Sequence, residues 1–160
     1  MKDISTVGAY VDIKFKSGPS IHITEFSDEG TPFECPDVDL SDNRKNLNGE
    51  MISSRMPTVY PVSVTVIPGT DQDKELVRKA HLAALYKGNV TKIKDLIVEQ
   101  IIVFVPNIDE SAEASAVGRT YTFKNGRMKT SPTGPSSSAE GRMSARTYAF
   151  EMQDFIPPMS

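Results

Sequence analysis

Two histidines and one cysteine are the side chains in this sequence best suited to acid-base or nucleophilic chemistry. Neither His22 nor His81 has an aspartate, serine or cysteine placed nearby in an arrangement that would activate a nucleophile. Cys35 lies in a Glu-Cys-Pro segment without neighbouring cations, which a thiol needs in order to ionise near neutral pH. We interpret His81 as a surface or packing residue and Cys35 as a half-buried, unreactive thiol.

Carboxylates are the remaining groups that could do chemistry. Asp37, Asp39 and Asp42 offer spaced oxygen ligands for a hard cation, but their segment lacks the glycine and the distal glutamate of an EF-hand. The acidic stretch at 109–113 is interpreted as a solvated loop. No glycine-rich loop opens a helix, as phosphate binding would require. The sequence therefore predicts no catalytic residue, no cofactor, no metal site and no enzymatic activity.

The bulk composition indicates an ordinary globular chain. With 160 residues, 38% hydrophobic and 24% charged, we expect a single domain spanning 1–160. The net charge of -3 provides no basic stripe, which disfavours specific DNA binding. One cysteine allows no intramolecular disulfide, so we expect synthesis and folding in a cytoplasm. The most apolar run, 101–105, is far shorter than the roughly 20 residues of a membrane span, and residues 1–8 do not resemble a signal peptide.

Most of the chain alternates in the manner of short strands. Residues 9–15 and 21–23 alternate on either side of a Ser-Gly-Pro turn and predict a hairpin. Residues 33–38 predict a third strand, which Pro36 restricts to a sheet edge. Residues 60–67 alternate until Pro68-Gly69, and an apolar stripe at helical spacing then predicts one amphipathic helix over 70–88. We expect this helix to lie on the flank of a sheet.

The second half of the chain predicts further strands and two turns. Residues 90–98 fit either a short helix or a strand, and the apolar run at 99–105 predicts a central strand buried on both faces. Asn125-Gly126 predicts a tight hairpin between 119–124 and 127–129. The Pro-, Ser- and Gly-rich segment 130–141 predicts a flexible surface loop, followed by a strand over 145–155 that closes the sheet.

A long polar segment, 39–57, predicts a loop between the third and fourth strands. Loops of this length are uncommon inside compact domains and are usually functional or disordered. Because a β-rich chain also leaves sheet edges that a symmetric oligomer can pair, we predict that the protein is a building block of an assembly.

The sequence resembles the tail tube proteins of bacteriophages, which are similar in fold to the haemolysin-coregulated tube protein of type VI secretion. The resemblance extends over nearly the whole chain and is carried by the following blocks: Gly18-Pro-Ser-Ile-His-Ile-Thr-Glu-Phe, Thr31-Pro-Phe-Glu-Cys-Pro-Asp-Val, Leu47-Asn-Gly-Glu-Met-Ile, Tyr60-Pro-Val-Ser-Val-Thr-Val-Ile-Pro-Gly-Thr, and Gly141-Arg to Phe155. None of these blocks is a catalytic signature.

The resemblance implies a mainly β (α+β) fold, an antiparallel β-barrel or sandwich with one flanking α-helix. It implies a structural virion protein of the tail, assembled in the bacterial host cytoplasm, whose hexameric rings stack into a tube. It also implies that 39–57 reaches a neighbouring ring. The exposed apolar residues of that segment are the expected contacts between rings: Leu47, Met51, Ile52 and Met56.

The partners implied are other copies of the chain, with sheath, baseplate and tail terminator proteins as further candidates. Genomic DNA would pass through the lumen without specific binding, since lysines and arginines on phosphate would slow its passage. Asp12, Glu25 and Glu34 are candidate lumen residues. Two alternatives stay open: a tail initiator or baseplate hub ring of the same fold, and a stand-alone β-rich binding module.

Overall fold

The computed structural model describes residues 2–3, 8–26, 32–86, 88–106, 108–109, 118–134, 137, 141 and 143–158. Strands dominate this part of the chain. The elements, in chain order, are β1 Lys2–Asp3, β2 Tyr10–Phe15, β3 Ile21–Ile23, β4 Phe33–Glu34, β5 Ser41–Lys45, β6 Met51–Arg55, β7 Tyr60–Val66, α1 Asp71–Leu85, α2 Val90–Ile93, the 3-10 turn Lys94–Leu96, β8 Val98–Pro106, β9 Ile108–Asp109, β10 Gly118–Thr130 and β11 Arg146–Ile156.

Seven of the strands form one antiparallel sheet, in the order β3-β2-β8-β10-β11-β7-β4. The sheet curls until the chain beyond β3 reaches β7, where Phe26 bridges to Val66 and the Ile67 N–H donates to the Glu25 carbonyl at 3.4 Å. Two small two-stranded sheets, β1-β9 and β5-β6, stand apart from it. The predicted mainly β, α+β fold is confirmed as a curled antiparallel sheet with a flanking helix.

The core lies on the concave face of this sheet. Side chains alternate along each strand, so every second residue of β2, β3 and β7 is buried. Helix α1 covers the core with Leu76, which is fully buried. The core residues from the strands are Val11, Ile13, Phe15, Ile21, Ile23, Val62, Val64, Val66, Val98, Ile101, Val103, Phe123, Tyr148, Phe150 and Met152.

Along three adjacent strands, β8, β10 and β11, buried and outward-facing side chains do not alternate regularly throughout. At one level of the sheet, the buried position moves by one residue. Val98 and Ile101 are both buried although three positions separate them, and Met152 and Phe155 both pack on the core. Residues three apart cannot share a face of a regular strand. On β10, between these two strands, Asn125 has a φ of 57°, while the register with both neighbours continues unshifted across it. The slip marks a corner at which the sheet bends over the core.

The prediction of a hairpin at Asn125-Gly126 is wrong. β10 runs through this dipeptide as one 13-residue strand, paired with β8 on one side and β11 on the other. The left-handed conformation that Asn-Gly favours is present at Asn125, but it produces the corner in the sheet instead of a chain reversal. Pairing with two distant strands outweighs the local preference for a turn.

Gly126 is required where β10 approaches β11. A Cβ atom at this position would lie 2.1 Å from the Glu151 carbonyl oxygen and 2.5 Å from the Met152 sulfur. Gly126→Ala is therefore expected to lower the free energy of unfolding by about 3 kcal/mol, measured by urea denaturation. Gly88→Ala is the matched control, because a Cβ there meets nothing within 4 Å, and it should change stability by at most about 0.5 kcal/mol. Equal stability of the two variants would contradict the close approach.

The predicted amphipathic helix is present but ends earlier than expected. Thr70 caps α1 and accepts a hydrogen bond from the Asp73 N–H at 3.3 Å. The helix ends at Leu85, with Tyr86 as its C-cap, three residues before the predicted end at 88. The ambiguous segment 90–98 becomes α2, a four-residue helix capped by Asn89, then a 3-10 turn, then β8. Both alternatives left open for 90–98 are therefore present in part, a short helix first and the start of a strand at Val98.

Three strand predictions need smaller corrections. The third strand is limited to Phe33–Glu34, at a sheet edge as expected. β8 is buried on one face through Ile101 and Val103, while Ile102 on the other face is partly exposed. The last strand, β11, does not close the sheet but lies inside it between β10 and β7. Of the predicted flexible loop 130–141, residue 130 belongs to β10, and residues 135, 136 and 138–140 lie outside the described residues.

Candidate assembly interface

The segment predicted as a long loop, 39–57, is instead built around a two-stranded hairpin. β5 and β6 pair in register from Ser41 opposite Arg55 to Lys45 opposite Met51. Every residue of both strands is exposed. A half-buried strand alternates apolar and polar residues, but β5 and β6 carry polar residues on both faces. The sequence pattern therefore did not predict these strands.

The turn of this hairpin is specified by its own residues. The Asn46 side-chain oxygen accepts hydrogen bonds from the N–H groups of Asn48 at 3.0 Å and Glu50 at 2.9 Å. Gly49 has a φ of 82°, a conformation that glycine adopts without the steric penalty of a Cβ. Asn48-Gly49 is the dipeptide signal that could have identified this hairpin from the sequence.

Hydrogen bonds also hold the two chain segments at the base of the hairpin together. The Met56 N–H donates to the Leu40 carbonyl at 3.3 Å. The Thr58 hydroxyl lies 3.2 Å from the carbonyl oxygens of both Asp39 and Met56. We refer to residues 39–58 as the hairpin arm. Because both ends are held, the arm is a formed element and not an irregular loop.

All four predicted contact residues lie on the hairpin arm, but they do not share one face. Leu47 lies in the turn with a relative exposure of 107%, and Met51 is 68% exposed. Ile52 pairs with Arg44, and Met56, four residues later, lies on the same face beside Leu40. Met51 lies on the opposite face. One face of the arm therefore carries Leu40, Ile52 and Met56, with the ion-paired Asp42 and Arg44 between them, and Leu47 forms a separate apolar tip. We refer to the face with these three apolar residues as the apolar face.

An isolated two-stranded hairpin is marginally stable in water. Leu40, Ile52 and Met56 are 68%, 56% and 40% exposed on this one. Leu40 and Met56 lie opposite each other and form an exposed apolar pair, from which Asp42 and Ser54 separate Ile52. Adjacent exposed apolar side chains are a feature of interaction sites on soluble proteins. The arm can therefore serve as a contact surface that gains stability once a partner covers it.

The three predicted lumen residues lie at separate places in the sheet. Asp12, on β2, has its side chain on the face away from the core, where its carboxylate meets the Nδ1 atom of His22. Glu34 lies on β4 at the far edge, paired in register with Ser63, and is exposed. Glu25 lies beyond β3 and is exposed. Their role in a lumen stays a prediction.

Sequence reasoning missed a buried charge network beneath α1. Oδ1 of Asp73 accepts hydrogen bonds from the Arg146 Nε–H at 2.9 Å and from the Tyr148 hydroxyl at 2.5 Å. Oδ2 accepts from the Gly69 N–H at 3.0 Å. Arg146 also donates to the carbonyls of Pro132 at 3.3 Å and Gly134 at 3.1 Å. This network joins the start of α1, strand β11 and the described part of the loop that precedes β11.

The network is structural in character. The Asp73 and Arg146 side chains are 7% and 10% exposed, and their charged groups are already paired with each other and with neighbouring polar groups. No free nucleophile or base is left at this point. Burial, and to a lesser extent the hydrogen bond to Asp73, raises the pKa of Tyr148 above its ordinary value of 10.0.

This raised pKa predicts a loss of stability in alkali. Above pH 10 the unfolded chain releases the Tyr148 proton while the folded chain retains it, so stability should fall by about 1.4 kcal/mol per pH unit. Below pH 10 the contribution is fully present. Urea denaturation at pH 9 to 12 measures this slope in a Cys35→Ser background, because the pKa of the Cys35 thiol is also raised, to about 11, and Tyr148→Phe should remove the slope there. An unchanged slope in the variant would assign alkaline unfolding to other groups.

The remaining chemical candidates of the sequence lie on the surface. Cys35 is exposed and not half-buried, and local desolvation together with the charge of Glu34 raises its pKa to about 11. His81 is exposed on α1. In the part of the chain that the structure describes, no group of three or more His, Cys, Asp or Glu residues is placed to hold a metal ion. Within the same residues, no helix is long and apolar enough to cross a membrane.

Three solved structures share this fold. The tube-terminating cap of the anti-feeding prophage has a TM-score of 0.55 at 11% identity, over 100% of this chain and 93% of the cap chain. The sheath/tube terminator of an extracellular contractile injection system, in its extended state, has a TM-score of 0.53 at 11% identity, over 96% of this chain and 95% of its own. A chain of the anti-feeding prophage baseplate has a TM-score of 0.51 at 9% identity, over 92% and 90%.

These likenesses show the fold, which this chain shares with tube-terminating and baseplate proteins of contractile injection systems. No curated protein matches the sequence. The chain belongs to the tail fiber protein gp32 family, whose family model matches residues 2–156. Membership of this family makes it a tail-associated structural protein. The predicted relation to phage tails is thus confirmed, and the more specific role of tube subunit stays a prediction.

Proposed function

We propose that this protein is a non-enzymatic subunit of a phage tail tube, which forms hexameric rings that stack into the channel for DNA delivery. The observation that carries this proposal is the hairpin arm. It is a formed element with an apolar face and an apolar tip that no other described part of the chain covers. A subunit that contacts the next ring needs such a projecting surface.

The shape of the sheet supports a ring. The short edge strands β3 and β4 leave backbone groups that a neighbouring subunit can pair or cover. The face of the sheet away from the core carries Asp12 and Glu34 together with Lys14, which pairs with Glu99 at 3.6 Å, and the whole chain has a net charge of -3. A lumen lined by this face would not hold DNA phosphates tightly.

A second candidate is a terminal or baseplate ring. It is favoured by the fold shared with two tube terminators and a baseplate chain. In that role the hairpin arm would contact a different tube protein, and the chain would form one ring at one end of the tail.

Copy number in purified tails distinguishes these candidates. In tails of different length, we expect quantitative mass spectrometry to find a number of copies of this chain per tail that rises in proportion to tail length. Antibody labelling should then follow the tube and not one end. A constant copy number equal to one ring, with label at a single end, would contradict the tube role and support the terminal ring.

A further inference from the structure

A small pocket of about 230 Å³ lies between α1, the turn after α2 and strand β10. Two cations, Lys79 and Arg127, line it together with apolar side chains, and no acidic residue contributes to its wall. The apolar lining consists of Phe15, Ala83, Ile93, Leu96 and Met128. The pocket is smaller than the roughly 300 to 1,000 Å³ of drug-sized ligand sites, and suits a single inserted side chain.

Lys79 is a buried cation that has no anionic partner among the described residues. Its residue is 6% exposed, and its Nζ donates to the Ser17 carbonyl at 3.1 Å and lies 5.1 Å from the centre of the Phe15 ring. An ammonium group carries three donors, so two N–H bonds have no acceptor in the described chain. Burying a charge is costly unless it is paired. Arg127, exposed at the rim of the pocket, makes no ion pair among the described residues, although Glu151 lies opposite it in the sheet.

The tip of the hairpin arm has the complementary chemistry. Leu47 is fully exposed in the turn, and Glu50, three residues later, is exposed and makes no ion pair within the described ranges. Asn46 and Gly49 hold the turn in a fixed shape. Strands of five residues place this tip about 16 Å from the base of the arm.

We infer that the pocket receives the hairpin tip of a second copy of this chain. Leu47 of one copy fills the apolar part of the pocket on the other, and the Glu50 carboxylate pairs with Lys79 and Arg127. Tip and pocket are different surfaces, so the contact is heterologous, and repeated heterologous contacts build open-ended stacks. The inference rests on the proposed function, because it names the surface that the hairpin arm contacts on a subunit of the next ring.

Charge exchange tests this contact in the full-length protein. Arg127→Glu and Glu50→Arg should each raise the lowest protein concentration that yields stacked rings by at least tenfold, measured by light scattering and negative-stain microscopy. The double variant restores an opposite-charge pair and should return that concentration to within threefold of wild type. Both residues are exposed, so circular dichroism and thermal unfolding should show an unchanged fold.

Arg119 provides the matched control, since it is an exposed cation on the same strand that does not line the pocket. Arg119→Glu should assemble like wild type and should not rescue Glu50→Arg. Normal stacking of Arg127→Glu, or failure of the double variant to recover, would overturn this contact while leaving the proposed function intact. A wild-type protein that never stacks would overturn both.

Discussion

Replacing Ile52 and Met56 by glutamate should prevent rings from stacking while leaving the fold unchanged. Both side chains lie on the apolar face of the hairpin arm, 56% and 40% exposed. Because each side chain is already about half buried, each contributes about 1 kcal/mol when a partner covers the rest, and a buried glutamate adds a desolvation cost. We expect the lowest concentration for assembly, measured by light scattering, to rise more than tenfold for the double variant.

The fold of this variant should survive because neither residue belongs to the core. Exposed positions usually change the free energy of unfolding by no more than about 0.5 kcal/mol each. Met143→Glu is the control: this methionine is 52% exposed but lies outside the arm. Assembly of the arm variant at wild-type concentrations would show that this face makes no contact, and equal loss in the control would show that the effect is not specific to the arm.

Replacing Asp73 by asparagine should lower the free energy of unfolding by about 3 to 5 kcal/mol. The change preserves the shape of the side chain but leaves the buried Arg146 guanidinium without its counter-charge. It also weakens the hydrogen bonds from Tyr148 and from Gly69 to this carboxylate. Chemical denaturation measures the loss, which is a large part of the 5 to 15 kcal/mol stability of a typical domain.

Two further variants separate the charge effect from a general weakening of the helix. Asp71→Asn removes an exposed carboxylate from the same first turn of α1 and should cost at most about 1 kcal/mol. Arg146→Met combined with Asp73→Asn should be more stable than Asp73→Asn alone, because no unpaired charge is then buried. Equal stability of the Asp73→Asn and Asp71→Asn variants would contradict a stabilising buried pair.

The strands and the long helix could be predicted where burial follows a regular period. Residues 10–15, 21–23 and 60–66 alternate because one face packs on the core, and α1 shows an apolar stripe because one side covers it. The two Asn-Gly dipeptides show where such local reasoning ends. Asn48-Gly49 forms the turn of a hairpin, while Asn125-Gly126 lies inside a strand held by two neighbours.

The hairpin arm and the buried charges could be predicted only in part, because they depend on contacts between distant parts of the chain. Leu47, Met51, Ile52 and Met56 could be chosen as apolar residues in a polar segment, but their division between tip and two faces depends on the β5-β6 register. The Asp73–Arg146 pair joins residues 73 positions apart. Lys79 becomes a buried cation, with no anionic partner in the described part of the chain, only once α1 packs on the sheet. No local pattern contains that information.

Electron microscopy of the purified wild-type protein tests the ring-and-tube role most directly. Negatively stained samples over a concentration series should show six-fold rings that stack into tubes as the concentration rises. A protein that stays monomeric at every concentration, or that forms rings which never stack, would contradict the account.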